Sequence, residues 1–209
     1  MAKITLYGFS GSTYVRTIRM LLAEKGVGDY EQVPVDVLKG ETRHAEHLTR
    51  HPFGKVPVVE VDGFRVIETN AIARYLNAIL PGPSLVPADP KDAARMDMVT
   101  GILDSYGYGA MVGGVAAYHL FPDFVGGKND EAHGKALALS RQVLVELMRI
   151  KGASRFLAGD AVSLADLYLA PPLFYVSLTP HKDEILAIDG LAPWWEAITA
   201  RPSFASTSP

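Results

Sequence analysis

The ten residues PGPSLVPADP, numbered 81–90, contain four prolines. Proline has no backbone N–H and a fixed φ, so neither a helix interior nor a central strand runs through such a segment. The chain therefore folds as two regions joined at 81–90, and the patterns on the two sides differ. On the N-terminal side, residues 3–9 alternate Ile4 and Leu6 with Thr5 and Tyr7, as a strand does. Val15, Ile18, Leu21 and Leu22 then recur at helical spacing over 13–25, and Gly26 sits where a helix stops. A second strand over 30–37 closes a strand, helix, strand order, which implies a right-handed parallel crossover. Residues 56–61 and 64–67 are two further strands, and Asp62-Gly63 between them marks a hairpin. Ile72, Tyr75, Leu76 and Ile79 place a helix over 69–79. This order predicts an α+β domain over 1–80 with a mixed four-stranded sheet, and a linker over 81–90.

Beyond the linker the signals are helical. Met96, Val99 and Leu103 start one helix, and Ala136, Leu139, Val143, Leu147 and Ile150 trace an apolar stripe that ends at Gly152. The tetrapeptide SLAD at 163–166 has the form of a capping box, with Asp as acceptor, opening an apolar helix that Pro171 and Pro172 are expected to bend. Trp194, Trp195 and Ile198 mark a short final helix. Residues 91–209 are thus predicted to be an all-helical domain.

Composition narrows the function. With 23 acidic against 20 basic residues and a net charge of −3, the chain lacks the basic excess that binding a phosphate backbone requires, so nucleic acid is not an expected partner. The uncharged runs fall short of the roughly 20 apolar residues a bilayer span needs, and no membrane is expected either. MAKITLYGF enters a strand directly, without a signal-peptide pattern, which points to the cytoplasm. There is no cysteine. That excludes disulfides, thiolate metal sites and a protein thiol nucleophile, so any sulfur chemistry uses a sulfur of the substrate.

Several groups are able to carry chemistry. The loop FSGST puts Ser10, Ser12 and Thr13 at a helix N-terminus, where a hydroxyl either caps the helix or joins the backbone N–H groups in holding an anion. Pro57 at a strand start is either an edge device or a cis residue that turns the backbone of Val56 toward an extended ligand. Glu68 and Thr69 stand where strand passes into helix. Beyond capping, a carboxylate with hydroxyl and N–H donors suits the head of an α-amino acid. His44, His47 and His51 share a helical face, but Pro52 and Gly54 interrupt it, so a solvated face is expected and no metal. Tyr106, Met111 and Tyr118 lie in a glycine-rich apolar stretch that forms either core or a wide pocket.

Taken together, LYGFSGSTYVRTIRMLLAEKG, HPFGKVPVVE, ETNAIARYL and SLAD resemble the cytosolic glutathione transferase family, over nearly the whole chain. The likeness is nearest the phi and theta, serine-type group and bacterial relatives. It implies a thioredoxin-like N-terminal domain, and a detoxifying transferase that ionises the thiol of glutathione for attack on a small hydrophobic electrophile. Peroxide reduction by the same thiolate, or a scaffold module without catalysis, are the alternatives. By the family's spacing of serine four positions before arginine, Ser12 before Arg16 is the catalytic hydroxyl, with Ser10 and Thr13 as rivals. The resemblance also implies that Val56, beside a cis Pro57, pairs with the cysteinyl backbone of glutathione. Glu68 and Thr69 would hold the γ-glutamyl end, while Arg43 and Lys55 would face the glycyl carboxylate, although Thr42 and Lys55 stand where the plant pattern has histidine and glutamine. Tyr106, Met111 and Tyr118 would line the electrophile pocket, and a homodimer would form through the third and fourth helices with Phe53 near its interface.

Overall fold

The structure, a computed structural model, describes residues 2–209. Its elements are β1 (Ile4–Tyr7), α1 (Thr13–Glu24), β2 (Glu31–Val33), α2 (Ala45–Arg50), β3 (Val58–Val61), β4 (Phe64–Val66), α3 (Thr69–Ile79), α4 (Pro90–Ile102), α5 (Ala117–Leu120), α6 (Asp130–Lys151), α7 (Leu164–Ser177), α8 (Lys182–Leu186), α9 (Leu191–Thr199) and α10 (Pro202–Ser206). Between α4 and α5 the chain stays helical but widens into π turns over Leu103–Gly107 and Gly109–Ala116. Two units result: one runs to Ser84 and includes Arg201–Pro209, and the other is Leu85–Ala200. No helix among the described residues is long and apolar enough to cross a membrane.

In the first unit the sheet order is β2-β1-β3-β4, with β1 parallel to β2 and antiparallel to β3, and β4 antiparallel to β3. This is the predicted mixed sheet. Leu6 of β1 stands opposite Val59 of β3, and both are fully buried together with Val15, Ile18, Leu21 and Leu22 of α1 and Ile72 and Leu76 of α3. Each such side chain contributes roughly 1.5–3 kcal/mol by leaving water. Asp62 and Gly63 have φ of 50° and 85°. A two-residue hairpin with two positive φ values matches the strand twist, and glycine adopts the second without a Cβ penalty. The second strand is shorter than its sequence pattern because Pro34, directly after Val33, has no N–H to extend the ladder.

Arg201–Pro209, which the sequence pattern assigns to the helical region, pack with the first unit instead. The cause is polar groups on α1 that need partners. Arg16 is almost fully buried, its Nη2 donates to the Phe204 carbonyl at 3.0 Å, and its guanidinium lies 4.2 Å from the Phe204 ring centre. Arg201 donates twice to the Glu24 carboxylate, at 2.7 and 2.6 Å, and Arg19 donates to the Thr207 carbonyl at 3.1 Å. Burial opposes ionisation of Glu24, but hydrogen bonds from Arg201 and Ser203 outweigh it and hold the carboxyl below its ordinary range.

The helical unit is organised around Asp166. Its carboxylate is fully buried and accepts from Leu157 N at 2.9 Å, Ser163 N at 2.8 Å, Ser163 Oγ at 2.9 Å and Trp194 Nε1 at 2.8 Å. The capping box read from SLAD is therefore formed, and the same acid also ties the Leu157 loop and α9 to the start of α7. Pro171 and Pro172 lie inside α7, which continues through them. On α6 the buried face is Ser140, Val143, Leu144, Leu147 and Met148, whereas Leu139 of the predicted stripe is 38% exposed. Gly114 sets the approach of this helix: a methyl group added there would lie 2.2 Å from Ala136 Cβ.

Two outcomes follow. Asp166→Ala strands four donors and is expected to cost about 3–5 kcal/mol, measured as a fall in the urea midpoint. Arg201→Ala is expected to cost about 2 kcal/mol at neutral pH. Because the folded-state pKa of Glu24 is depressed, that contribution is present above the unfolded value of about 4.3 and is lost as pH falls through the folded value. The stability gap between wild type and variant, followed by denaturation at stepped pH, should close on acidification.

Candidate functional site

At the C-terminal end of β1 the chain turns through Gly8 and enters α1. A methyl group placed on Gly8 would lie 2.4 Å from Val15 Cγ2 and 3.3 Å from Val56 Cβ, so the end of β1, the first turn of α1 and the loop before β3 meet at one point. Ser12 is the N-cap of α1, and its Oγ accepts from Val15 N at 3.5 Å. Capping uses an oxygen lone pair and leaves the O–H proton to donate elsewhere. Helix capping and anion binding, which compete as readings of the sequence, are thus compatible in one side chain. Of the rivals, Ser10 is half-buried, while Thr13 is almost fully buried with no partner for its Oγ1 among the described residues. Helix α1 also directs the positive end of its macrodipole at this corner.

The loop before β3 contains the cis peptide Val56–Pro57. Neither backbone group of Val56 enters a turn, loop or cap hydrogen bond of the described residues, leaving a donor and an acceptor for an extended chain. His47, on α2, fastens this loop: its Nε2–H donates to the Lys55 carbonyl at 2.8 Å. A carbonyl only accepts, so the ring is the Nε2–H tautomer. His51 is buried as well, and its Nδ1 accepts from Phe53 N at 3.3 Å. Burial lowers the His51 pKa, opposed by Glu68. These contacts correct the expectation of a solvated histidine face: His47 and His51 are interior supports for the loop, and only His44 is exposed. The sequence carries no local signal for this, because the partner is a carbonyl eight residues away.

Glu68 is the N-cap of α3, with φ 68° and ψ 118°. A non-glycine residue there carries strain of about 1–3 kcal/mol, a feature that concentrates at functional positions. Its side chain is exposed, and Thr69 behind it is buried. Arg43 and Lys55 are exposed, and Arg43 Nη1 lies 3.2 Å from where a Cβ on Gly54 would be, so the two cations flank the same loop. Ser12, Val56 and Pro57 thus gather at one corner, with Glu68, Thr69, Arg43 and Lys55 in the same unit. The corner itself offers a hydroxyl donor and an unpaired backbone donor and acceptor, and the same unit carries one exposed carboxylate, Glu68, and two exposed cations, Arg43 and Lys55.

Of the three expected pocket residues, Tyr106 is 60% exposed, and Tyr118 donates to Asp130 at 2.5 Å and stacks on His133. Met111 is fully buried and packs at Gly107 beside Leu103 and Val143, so it belongs to the interior of the helical unit.

Comparisons with known proteins give the family. The family model described as glutathione S-transferase, N-terminal domain, matches residues 2–78, and that for the C-terminal domain matches residues 113–202. Glutathione S-transferase 3 of Zea mays is 32% identical, over 99% of this chain and 94% of its own. A probable glutathione S-transferase of Oryza sativa, GSTF2, is 30% identical over 97% and 94%. Among solved structures, glutathione transferase F7 from Populus trichocarpa superposes with a TM-score of 0.86 at 27% identity, covering 98% of this chain and 97% of its own. A glutathione S-transferase I bound with lactoylglutathione superposes at 0.84 and 27% identity, covering 99% of each. With both halves matched and the likeness running the length of each partner, the chain belongs to the glutathione S-transferase family.

Proposed function

We propose that this transferase is of the serine type, and that Ser12 donates its hydroxyl proton to the sulfur of bound glutathione and holds it as thiolate. The observation that carries this reading is the N-cap geometry of Ser12, in which the lone pair is engaged by Val15 N and the O–H remains available. A free thiol, with pKa about 8.5, is only a few per cent ionised at pH 7. Lowering that value by about two units requires about 2.7 kcal/mol of preference for the anion. A charge-assisted hydrogen bond from Ser12 and the N-terminus of α1 together supply a term of that size.

In this reading the cysteinyl backbone of glutathione pairs with Val56 beside Pro57, the ammonium meets Glu68, the γ-glutamyl carboxylate meets Thr69, and Arg43 and Lys55 attract the glycyl carboxylate. The thiolate then attacks a small hydrophobic electrophile. A cytoplasmic location suits a chain that depends on a reduced thiol substrate. A homodimer is part of the reading, and the 65% exposure of Phe53 supports a partner for that ring.

Ser12→Ala is expected to move the thiolate titration of bound glutathione up by about one pH unit or more, the helix N-terminus keeping the rest of the shift, and to lower kcat/KM by about 10²–10³ at pH 7. The readout is thiolate absorbance against pH, and an unchanged titration would remove Ser12 from this role. Phe53→Ser is expected to weaken the dimer at least tenfold in sedimentation velocity, and an unchanged association constant would place the interface elsewhere.

A further inference from the structure

Three histidines from separate parts of the helical unit converge: His119 on α5, His133 in the first turn of α6, and His181 at the N-terminus of α8. We propose that they form a binding site for one divalent transition-metal ion of the zinc class, with a fourth coordination position open. This goes beyond the transferase reading, since none of the three belongs to the glutathione corner.

Geometry is the first argument. One ligand nitrogen from each ring lies within 4.8 Å of the other two. The ring centres are 5.0 Å apart for His119 and His133, 5.1 Å for His133 and His181, and 5.3 Å for His119 and His181. Imidazoles whose nitrogens sit about 2.0–2.1 Å from a tetrahedral ion have ring centres about 5 Å apart, so the near-equal triangle is of the right size.

Proton placement is the second argument. His133 Nδ1 faces the Gly114 carbonyl at 3.1 Å, and His181 Nδ1 faces the Glu184 carboxylate at 3.4 Å. Both partners only accept, so in the neutral rings both Nδ1 atoms carry the hydrogen and both Nε2 atoms present lone pairs. Yet those two Nε2 atoms face each other at 3.0 Å. Short of an extra proton on one ring, only a cation satisfies both lone pairs. His119 adds a third: its Nε2 is buried and has no partner among the described residues. Burial, reinforced by His133, His181 and Lys128, favours the neutral ring of His119, which is the form that ligates.

The surroundings have the form of an orienting shell. Tyr118 stacks on His133 at 4.2 Å and is fixed by Asp130, while Glu184 is held by Arg141 at 2.9 Å. Ligating histidines characteristically give their other N–H to a carbonyl or carboxylate, as His133 and His181 do here. Three neutral imidazoles with no thiolate select zinc, cobalt, nickel or copper over the oxygen-seeking calcium and magnesium.

The test is a cobalt titration of untagged protein in glutathione-free buffer. One Co²⁺ per chain with tetrahedral d–d absorption, displaced by zinc and stripped by a chelator, is expected. His133→Ala and His181→Asn should each weaken binding more than tenfold, and Glu184→Gln by about tenfold. No binding by wild type, or binding by the two histidine variants as tight as that of wild type, overturns the site. In the latter case a proton shared by His133 and His181 explains their contact. Should a variant fail to fold, paramagnetic shifts on the wild-type histidine resonances decide the matter. Shifts at His119, His133 and His181 support the site, and shifts confined to His44, His47 and His51 overturn it.

Discussion

A polar group taken out of water has to find its partner inside the protein, and in this chain that requirement fixes more of the architecture than any single apolar contact. Asp166 is the clearest case. Its fully buried carboxylate draws two backbone N–H groups, a hydroxyl and an indole N–H to one point, so the start of α7, the preceding loop and α9 are set by the directions of its lone pairs. Arg16 acts likewise in the other unit, where its guanidinium meets the carbonyl and ring of Phe204. Apolar burial stabilises both cores, but it is non-directional, and these polar groups choose among the arrangements it allows.

The same requirement holds the loop before β3. His47 gives its N–H to the Lys55 carbonyl and so fixes the loop in which both backbone groups of Val56 are unpaired among the described residues. Glu68 is held at a positive φ at the head of α3. Ser12 spends its lone pair on the helix and keeps its proton. In the reading proposed above, these are the groups that meet the backbone, the ammonium and the sulfur of bound glutathione.

Much of this was legible in the chain. The strand and helix order, the hairpin at Asp62-Gly63 and the capping box at Ser163 each depend on a local rule, and each is realised. The histidines were not legible. His44, His47 and His51 follow at spacings of three and four along one short segment and suggest a shared role, yet two of them are buried supports. His119, His133 and His181 have no common spacing and meet only because the glycine-rich π-turned segment, α6 and α8 pack together, with Gly114 admitting α6 and offering its carbonyl to His133. Met111 was open between core and pocket for a related reason: its side of the helix depends on a π register that an α-helical period does not foresee.

What the sequence by itself determined is the strand and helix order of the first eighty residues, the main helices beyond them, the break at the proline-rich segment, the absence of any protein thiol and the residue types proposed to hold glutathione. These are encoded within a few positions, in backbone propensity, side-chain period and capping chemistry. Only the tertiary structure decided that Arg201–Pro209 fold back with α1, that Thr13 is buried while Ser12 is half-exposed, and that three distant imidazoles share one centre. Those outcomes rest on contacts such as Arg201 with Glu24, at a sequence separation of 177, and His133 with His181, at 48. Burial and partner geometry at that range are properties of the packed chain, and no local pattern carries them.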